Sequence, residues 1–254
     1  MSNLFISDDY KPQLSRCNFA DFNAIWDHEI DWYEEPNERR GGWSGVGRVD
    51  LVLSDGNALS LFVKKQQNHG RRTLRSPIKG EPTFRREFKR LIYLSEHNFA
   101  APNVVLYGEF SSGENQRALL VTVALDDYQS LEEILSQWWS SANAKKKSSL
   151  IAKVAIEIKR FHDLGLTHRA LYPKHIFIKN FAYSPEIALI DLEKARFNFF
   201  SSYRAYFDLA ALSRHSFNIS ARQKLTFFKQ YLGIKKMNSY QKFLCRLIVK
   251  RSKR

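Results

Sequence analysis

Three stretches of this chain hold residue types that suit the binding of phosphate and a divalent cation. The run Arg39-Arg40-Gly41-Gly42-Trp43-Ser44-Gly45-Val46-Gly47-Arg48-Val49 reads as a glycine-rich turn feeding a strand. Glycines let a backbone approach a ligand closely and turn its N–H groups inward, which is how phosphates are cradled, although glycines ahead of a strand also make plain turns. Further on, Lys64 closes a short apolar run, where a cation can face a phosphate. In Leu189-Ile190-Asp191-Leu192-Glu193 a carboxylate follows an apolar run. An unpaired carboxylate at the end of a buried strand costs several kcal/mol, so packing does not readily explain Asp191, which stands as a functional residue.

Spacing ties these stretches together. Gly42, Ser44, Gly47 and Val49 fall on the kinase pattern G-x-G-x-x-G-x-V, with Gly45 inside it, and Lys64 then stands 17 residues beyond Gly47. That is the place of the phosphate-pairing lysine. Leu59, Leu61 and Val63 alternate on a packed face, so Lys64 should project into a cleft and Lys65 the other way. Such a lysine needs a carboxylate from the next helix, and Glu87 lies mid-way between Phe84 and Leu94; its other reading is a surface salt bridge with Arg90 or Lys89. Thr167-His168-Arg169-Ala170-Leu171-Tyr172-Pro173-Lys174-His175 resembles the catalytic loop H-R-D-L-x-x-x-N, with Asp191 16 residues after His175, the spacing of a metal-binding aspartate.

The elements that must position these residues are legible in the periodicity. Val49 to Leu53 and Ala58 to Val63 read as antiparallel strands around the turn Ser54-Asp55-Gly56-Asn57. The period changes to helical over Glu81 to His97 and returns to strand over Val104 to Phe110 and Arg117 to Val123. Ser130 with Glu133 forms a capping box for a helix from Leu131 to Trp138. Ser149 is placed to cap a longer helix with an apolar stripe of Leu150, Ile151, Val154, Ile158 and Phe161, ended by Gly165. Short strands at His175 to Ile178 and Ile187 to Leu192 precede C-terminal helices. The expected class is α+β, with a β-rich lobe over 1–123, a helical lobe over 124–254 and a cleft between them.

Composition narrows the partners. The 254 residues are 44% hydrophobic and 14% aromatic, enough for an ordinary core. Two cysteines, Cys17 and Cys245, give neither a disulfide framework nor a zinc cluster, and His162, His168 and His175 lack standard metal-pair spacing. No stretch approaches the ~20 apolar residues that cross a bilayer, so a cytoplasmic, soluble or peripheral protein is expected. The net charge is +14, and the 12 Lys and Arg residues after Asp208 face no Asp or Glu. That basic end suits nucleic acid, anionic lipid or a phosphorylated glycolipid, or is a solvated surface. The helix from Tyr240 to Arg251 sets Phe243, Leu244, Leu247 and Ile248 against Lys242, Arg246, Lys250 and Arg251, to meet a membrane or to pack on the second lobe. Aromatics among its basic residues also fit ordinary amphipathic helices, and no nucleic-acid partner is expected.

With these residues in place the chain resembles the lipopolysaccharide kinase family, which includes the heptose and Kdo kinases, and its InaA-like branch in particular. Arg40 to Val49, Phe62 to Gln66, Gly80 to Phe88, Leu171 to Phe177, Ile190 to Arg196 and Asp208 to Leu212 with Arg214-His215 carry the likeness. It implies a protein-kinase-like fold, ATP with Mg²⁺ or Mn²⁺, and an anionic heptose or Kdo-type sugar of the lipopolysaccharide inner core, met at the inner face of the cytoplasmic membrane. Lys64, Glu87, His168 and Asp191 would be catalytic, His175 a second metal ligand, and Asp208 the helix aspartate that braces the loop. Arg71, Arg72, Arg75 and Lys79, just beyond Lys64, would hold the acceptor's negative groups. Only 17 residues separate Asp191 from Asp208, too few for a long activation segment, which disfavours a protein substrate. Ala170 stands where the catalytic aspartate would be. Loss of a positioned base typically costs ~10² to 10⁴ in rate. Glu193, Asp163 or the substrate's own phosphate could replace it; otherwise the chain is a catalytically impaired module that binds nucleotide or glycolipid and acts by interaction.

Overall fold

Antiparallel pairing and period-two burial build the first half around a seven-stranded sheet. The structure, a computed structural model, describes residues 3–253 except 34, 40, 54, 55, 74, 75, 113 and 114, and only the backbone at 3, 39, 72, 73 and 76–79. It divides into two compact units, Met1–Asp126 and Asp127–Arg254.

The first unit contains β1 (Asn3–Ile6), α1 (Lys11–Arg16), α2 (Phe22–Asp27), β2 (Asp31–Trp32), β3 (Asn37–Arg39), β4 (Gly42–Val52), β5 (Ala58–Gln67), β6 (Gly70–Thr73), β7 (Ser76–Pro82), α3 (Thr83–Glu96), β8 (Val104–Ser112) and β9 (Asn115–Val123). The main sheet runs β1-β8-β9-β5-β4-β2, with β3 also on β4; β6 and β7 pair separately. Side chains alternate across β4 and β5, so Val49, Leu51, Leu61 and Val63 face one apolar core with Leu14, Phe19, Phe22 and Ile25 of the α1–α2 segment. Helices of six residues are not stable alone, and burial of these four large side chains, worth about 1.5 to 3 kcal/mol each, supplies what propensity does not.

α3 lies on the opposite face of β5. Its N-cap is Pro82, which has no side-chain cap to offer. Gln66 of β5 does the capping instead: its Oε1 accepts from Phe84 N at 3.1 Å and from the Thr83 hydroxyl at 3.0 Å, while its Nε2 donates to the His69 carbonyl at 2.8 Å. The start of the helix is thereby fixed to the strand two residues beyond Lys64.

The second unit contains β10 (Gln129–Ser130), α4 (Leu131–Gln137), α5 (Ala144–Asp163), β11 (Leu166–Thr167), β12 (Ile176–Lys179), β13 (Glu186–Leu189), β14 (Arg196–Phe197), α6 (Ser201–His215), α7 (Ala221–Leu232) and α8 (Ser239–Ser252). Ser130 and Glu133 cap α4 reciprocally, as their spacing predicts. The start of α5 differs from expectation. Asn143, not Ser149, is the N-cap and accepts from Lys146 N at 2.9 Å, so the helix opens on Ala144 to Ser149, exposed or half-buried residues with no apolar pattern to reveal it. The stripe from Leu150 to Phe161 is buried, and Gly165, at φ +82°, turns the chain out of the helix. Capping boxes at Ser220–Gln223 and Asn238–Gln241 open α7 and α8. In α8, Leu244 and Ile248 are buried while Phe243 stays exposed, so this part of its apolar face packs within the unit rather than on a membrane.

Candidate active site

On β5, Lys64 and Lys65 point to opposite faces and meet different fates. The Lys64 ammonium donates to both carboxylate oxygens of Glu87, at 2.7 and 2.9 Å. Glu87 is buried within α3, so this is no surface salt bridge with Arg90 or Lys89. Lys65 is buried on the other face and donates to the carbonyls of Trp26 and His28, each at 2.7 Å. Burial pushes its ammonium down to about 8, against a smaller opposing pull from Asp27.

The glycine run is not the expected turn. Gly42 to Gly47 lie inside β4, paired with β5 on one side and with β2 and β3 on the other, so backbone groups there serve the sheet. Gly41, just ahead of β4, has φ +78°. The glycines admit close approach of the protein itself. A Cβ on Gly47 would lie 1.9 Å from the Ile30 methyl, one on Gly45 2.7 Å from the Trp32 ring, and one on Gly42 2.1 Å from the Gln67 carbonyl. Val49 also needs correction: it belongs to the core face, away from Lys64. Directly paired residues share a face, so Val46, opposite Lys64, Ser44, opposite Gln66, and Arg48, opposite Phe62, line the Lys64 side.

In the second unit a single buried carboxylate organises the loop. Asp208 of α6 accepts from the backbone N–H of His168 at 2.6 Å and of Arg169 at 2.8 Å. It also bonds His162 Nε2 at 3.0 Å, while His162 Nδ1 meets the Tyr231 hydroxyl at 2.7 Å. Two helices besides α6 thus hold the aspartate that holds the loop. This clamp lets Arg169 persist at φ +66°, a conformation costing about 1 to 2 kcal/mol in an L residue. His162, weighed in the sequence only as a zinc ligand, is a brace. Its place on the buried stripe of α5, four residues after Ile158, was the available signal.

The loop then builds a pair of acceptors. His168 donates from Nε2 to the Ile190 carbonyl at 3.0 Å, and its buried Nδ1 has no hydrogen-bond partner among the described residues. His175 donates from Nδ1 to the Ala170 carbonyl at 2.8 Å. Burial lowers the basicity of both rings, with Asp191 and other neighbours opposing it only in part, which favours the neutral imidazole. In the neutral His175 ring, with Nδ1 donating to the Ala170 carbonyl, the Nε2 lone pair faces the Asp191 carboxylate, 3.4 Å away. Two acceptors so placed fit a divalent cation. Asp191 is not at a strand end, because β13 stops at Leu189; it stands beyond it in the left-handed region at φ +57°. Among the described residues no three His, Cys, Asp or Glu side chains converge on a metal site, so phosphate oxygens and water would complete the shell, as Mg²⁺ usually requires.

Ala170 is fully buried and presents no side-chain acceptor. Asp163 is ion-paired with Lys159 at the end of α5, and Glu193 sits in the turn after Asp191. Among the expected acceptor-binding residues, Arg71 lies on β6, half-buried; Arg75 and the side chains of Arg72 and Lys79 lie outside the described residues.

A β-rich unit with a strand lysine paired to a helix glutamate, followed by a helical unit whose loop is clamped by a helix aspartate, defines the protein-kinase-like fold. The solved structure of WaaP in complex with acyl carrier protein matches 99% of this chain and 97% of its own, at TM-score 0.73 and 22% identity. The model of the lipopolysaccharide kinase (Kdo/WaaP) family matches residues 23–231, and the chain belongs to that family. Protein InaA of Escherichia coli (strain K12) is 33% identical over 182 residues, 71% of this chain and 81% of InaA.

Proposed function

We propose that this chain transfers the γ-phosphoryl group of ATP, with Mg²⁺ or Mn²⁺, to a hydroxyl of a heptose or Kdo-type sugar in the lipopolysaccharide inner core. The observation that carries this reading is the His175–Asp191 pair, two acceptors 3.4 Å apart that would hold the cation. An imidazole ligand suits Mn²⁺ somewhat better than Mg²⁺. Lys64, oriented by Glu87, would pair with nucleotide phosphate, and Ser44, Val46 and Arg48 share its side of the sheet. Bound metal would neutralise charge on the phosphates. In the transfer the acceptor oxygen bonds to the γ-phosphorus, the bond to the β-phosphate oxygen breaks, and ADP leaves. With alanine at 170, the hydroxyl proton departs on the transferred phosphate, because a loose transition state asks more of positioning than of a base.

A second reading, binding without transfer, rests on the buried Ala170 methyl. ADP release by the purified chain, together with ³¹P NMR of lipopolysaccharide from cells with and without the gene, separates the two. A core phosphate missing from the deleted strain supports transfer; nucleotide binding with no turnover and an unchanged phosphate pattern supports the second reading. We extend an acyl carrier protein to this chain as a proposed partner on a separate ground. An apolar cavity of about 510 Å³ in the second unit, lined by Leu135, Trp139, Leu150, Phe228 and Ile248 with Arg214 and Lys224, would accept an acyl chain. Co-expression and co-purification test that partner.

A further inference from the structure

The start of α6 leaves large rings in water. Phe199 is 98% and Phe200 75% exposed, with Phe197 about half exposed just before them. α8 adds Tyr240 and Phe243, each more than half exposed, and the Tyr240 hydroxyl bonds Ser202 in the first turn of α6, which brings the start of α8 to the start of α6, where the first rings lie. Fully exposed aromatic rings in a cluster call for a partner, whereas single exposed apolar residues do not.

The charge around the rings says which partner. From Lys194 to the C-terminus the chain has one acidic side chain, Asp208, which is fully buried and spent on the loop and on His162. Lys194 and Arg196 lie exposed just ahead of the rings, and Lys242 and Arg246 flank Phe243 on α8, with Arg246 one helical turn along the same face. A polyanionic surface is the complement. Protein hot spots seat a ring in a pocket, but Phe199 protrudes almost wholly from its own surface, a form suited to a yielding medium. Aromatic rings settle at the headgroup level of a bilayer, and nearby cations attract anionic lipid.

We propose that Phe199, Phe200, Tyr240 and Phe243, with Lys194, Arg196, Lys242 and Arg246, form a docking face for an anionic phospholipid bilayer. The chain passes from Asp191 to Phe199 through β14, which pairs with β11 at the entrance to the His168 loop. Docking by this face sets the His175–Asp191 pair near the lipid surface, where a membrane-anchored acceptor is presented. That last consequence rests on the proposed phosphoryl transfer; bilayer binding itself does not.

Sedimentation of the full chain with phosphatidylethanolamine–phosphatidylglycerol vesicles tests it, at low and high salt, without nucleotide. The parent should pellet with these vesicles, less so at high salt, and not with pure phosphatidylcholine. Phe199→Ser with Phe200→Ser should weaken partitioning by roughly tenfold or more. Phe217→Ser should not, because Phe217 is equally exposed but just past the far end of α6, about 20 Å away. Unchanged melting temperatures establish that the variants are folded. Vesicle binding by the double variant equal to that of the parent overturns the proposal. So does a parent that ignores anionic vesicles yet binds polyglutamate through Phe199 and Phe200, since the face would then belong to an acidic protein. If the parent binds vesicles but shows no stabilisation by Mg-ATP or Mn-ATP, the docking face stands and the phosphotransferase reading falls.

Discussion

The first unit holds its charged pair on a strand and a helix, while the second sets its candidate ligands on loops and a short turn. Lys64 and Glu87 are placed by regular elements: alternation on β5 points the lysine, and Gln66 fixes the start of α3. In the second unit His168 and Asp191 stand on irregular backbone and His175 on a single 3-10 turn, with Arg169 and Asp191 left-handed, and one aspartate from a distant helix holds the loop. The contrast shows that a lysine–glutamate pair follows from local periodicity plus one cap, whereas the loop site depends on a buried network assembled from α5, α6 and α7. The two should break differently.

The largest effect should come from Asp208→Ala. It strands two backbone N–H groups and His162 in the interior, and removal of one partner from a buried charged network typically costs about 3 to 5 kcal/mol. Denaturant unfolding should show that loss. Hydrogen exchange should lose protection at His168 and Arg169 while the β5 amides keep theirs; equal loss in both units would erase the contrast drawn here. Next in size is Gly47→Ala, which drives a methyl into Ile30 and the Asp31 carbonyl and should cost about 1 to 3 kcal/mol. If instead stability holds and only ATP binding fails, the glycines of β4 serve a ligand and not the sheet.

A smaller effect separates the two lysines. Lys65 has a folded-state value of about 8 against an ordinary 10.5, so between those values the unfolded chain binds more protons and stability rises with pH. From pH 8 to 9.5 the parent should gain on the order of 1 kcal/mol relative to Lys65→Met. Parallel pH profiles for parent and variant would mean that Lys65 is solvated and that the two faces of β5 are not as distinct as the geometry has them.

Much of this was legible in the sequence, for identifiable reasons. The Ser130–Glu133 capping box, the α5 stripe and the strands around Lys64 follow local rules that tertiary contacts did not override. The glycine run misled because glycine marks both turns and close approach; the Trp32 and Ile30 side chains that demand it are brought in by β2, which no local pattern announces. Gln66 as the cap of α3 and His162 with Tyr231 as the brace of Asp208 are long-range pairings, invisible to periodicity. The α1–α2 segment gives no periodic signal, because six-residue helices carry too few turns to show one, although Leu14, Phe22 and Ile25 complete the core of the sheet.

Thermal unfolding with Mn-ATP, Mg-ATP and metal-free ATP tests the central claim, that Lys64 meets nucleotide phosphate and that Asp191 with His175 holds the cation. The parent should be stabilised by the metal complexes by several degrees, since ligand at a hundred times its Kd contributes about 2.7 kcal/mol. Lys64→Ala should weaken the shift with every form of the nucleotide. Asp191→Asn, chosen because asparagine tolerates the left-handed backbone at that position, should abolish the difference between metal-loaded and metal-free ATP. A parent that shows no shift with either metal, or an Asp191→Asn variant whose metal response equals the parent's, would contradict the account.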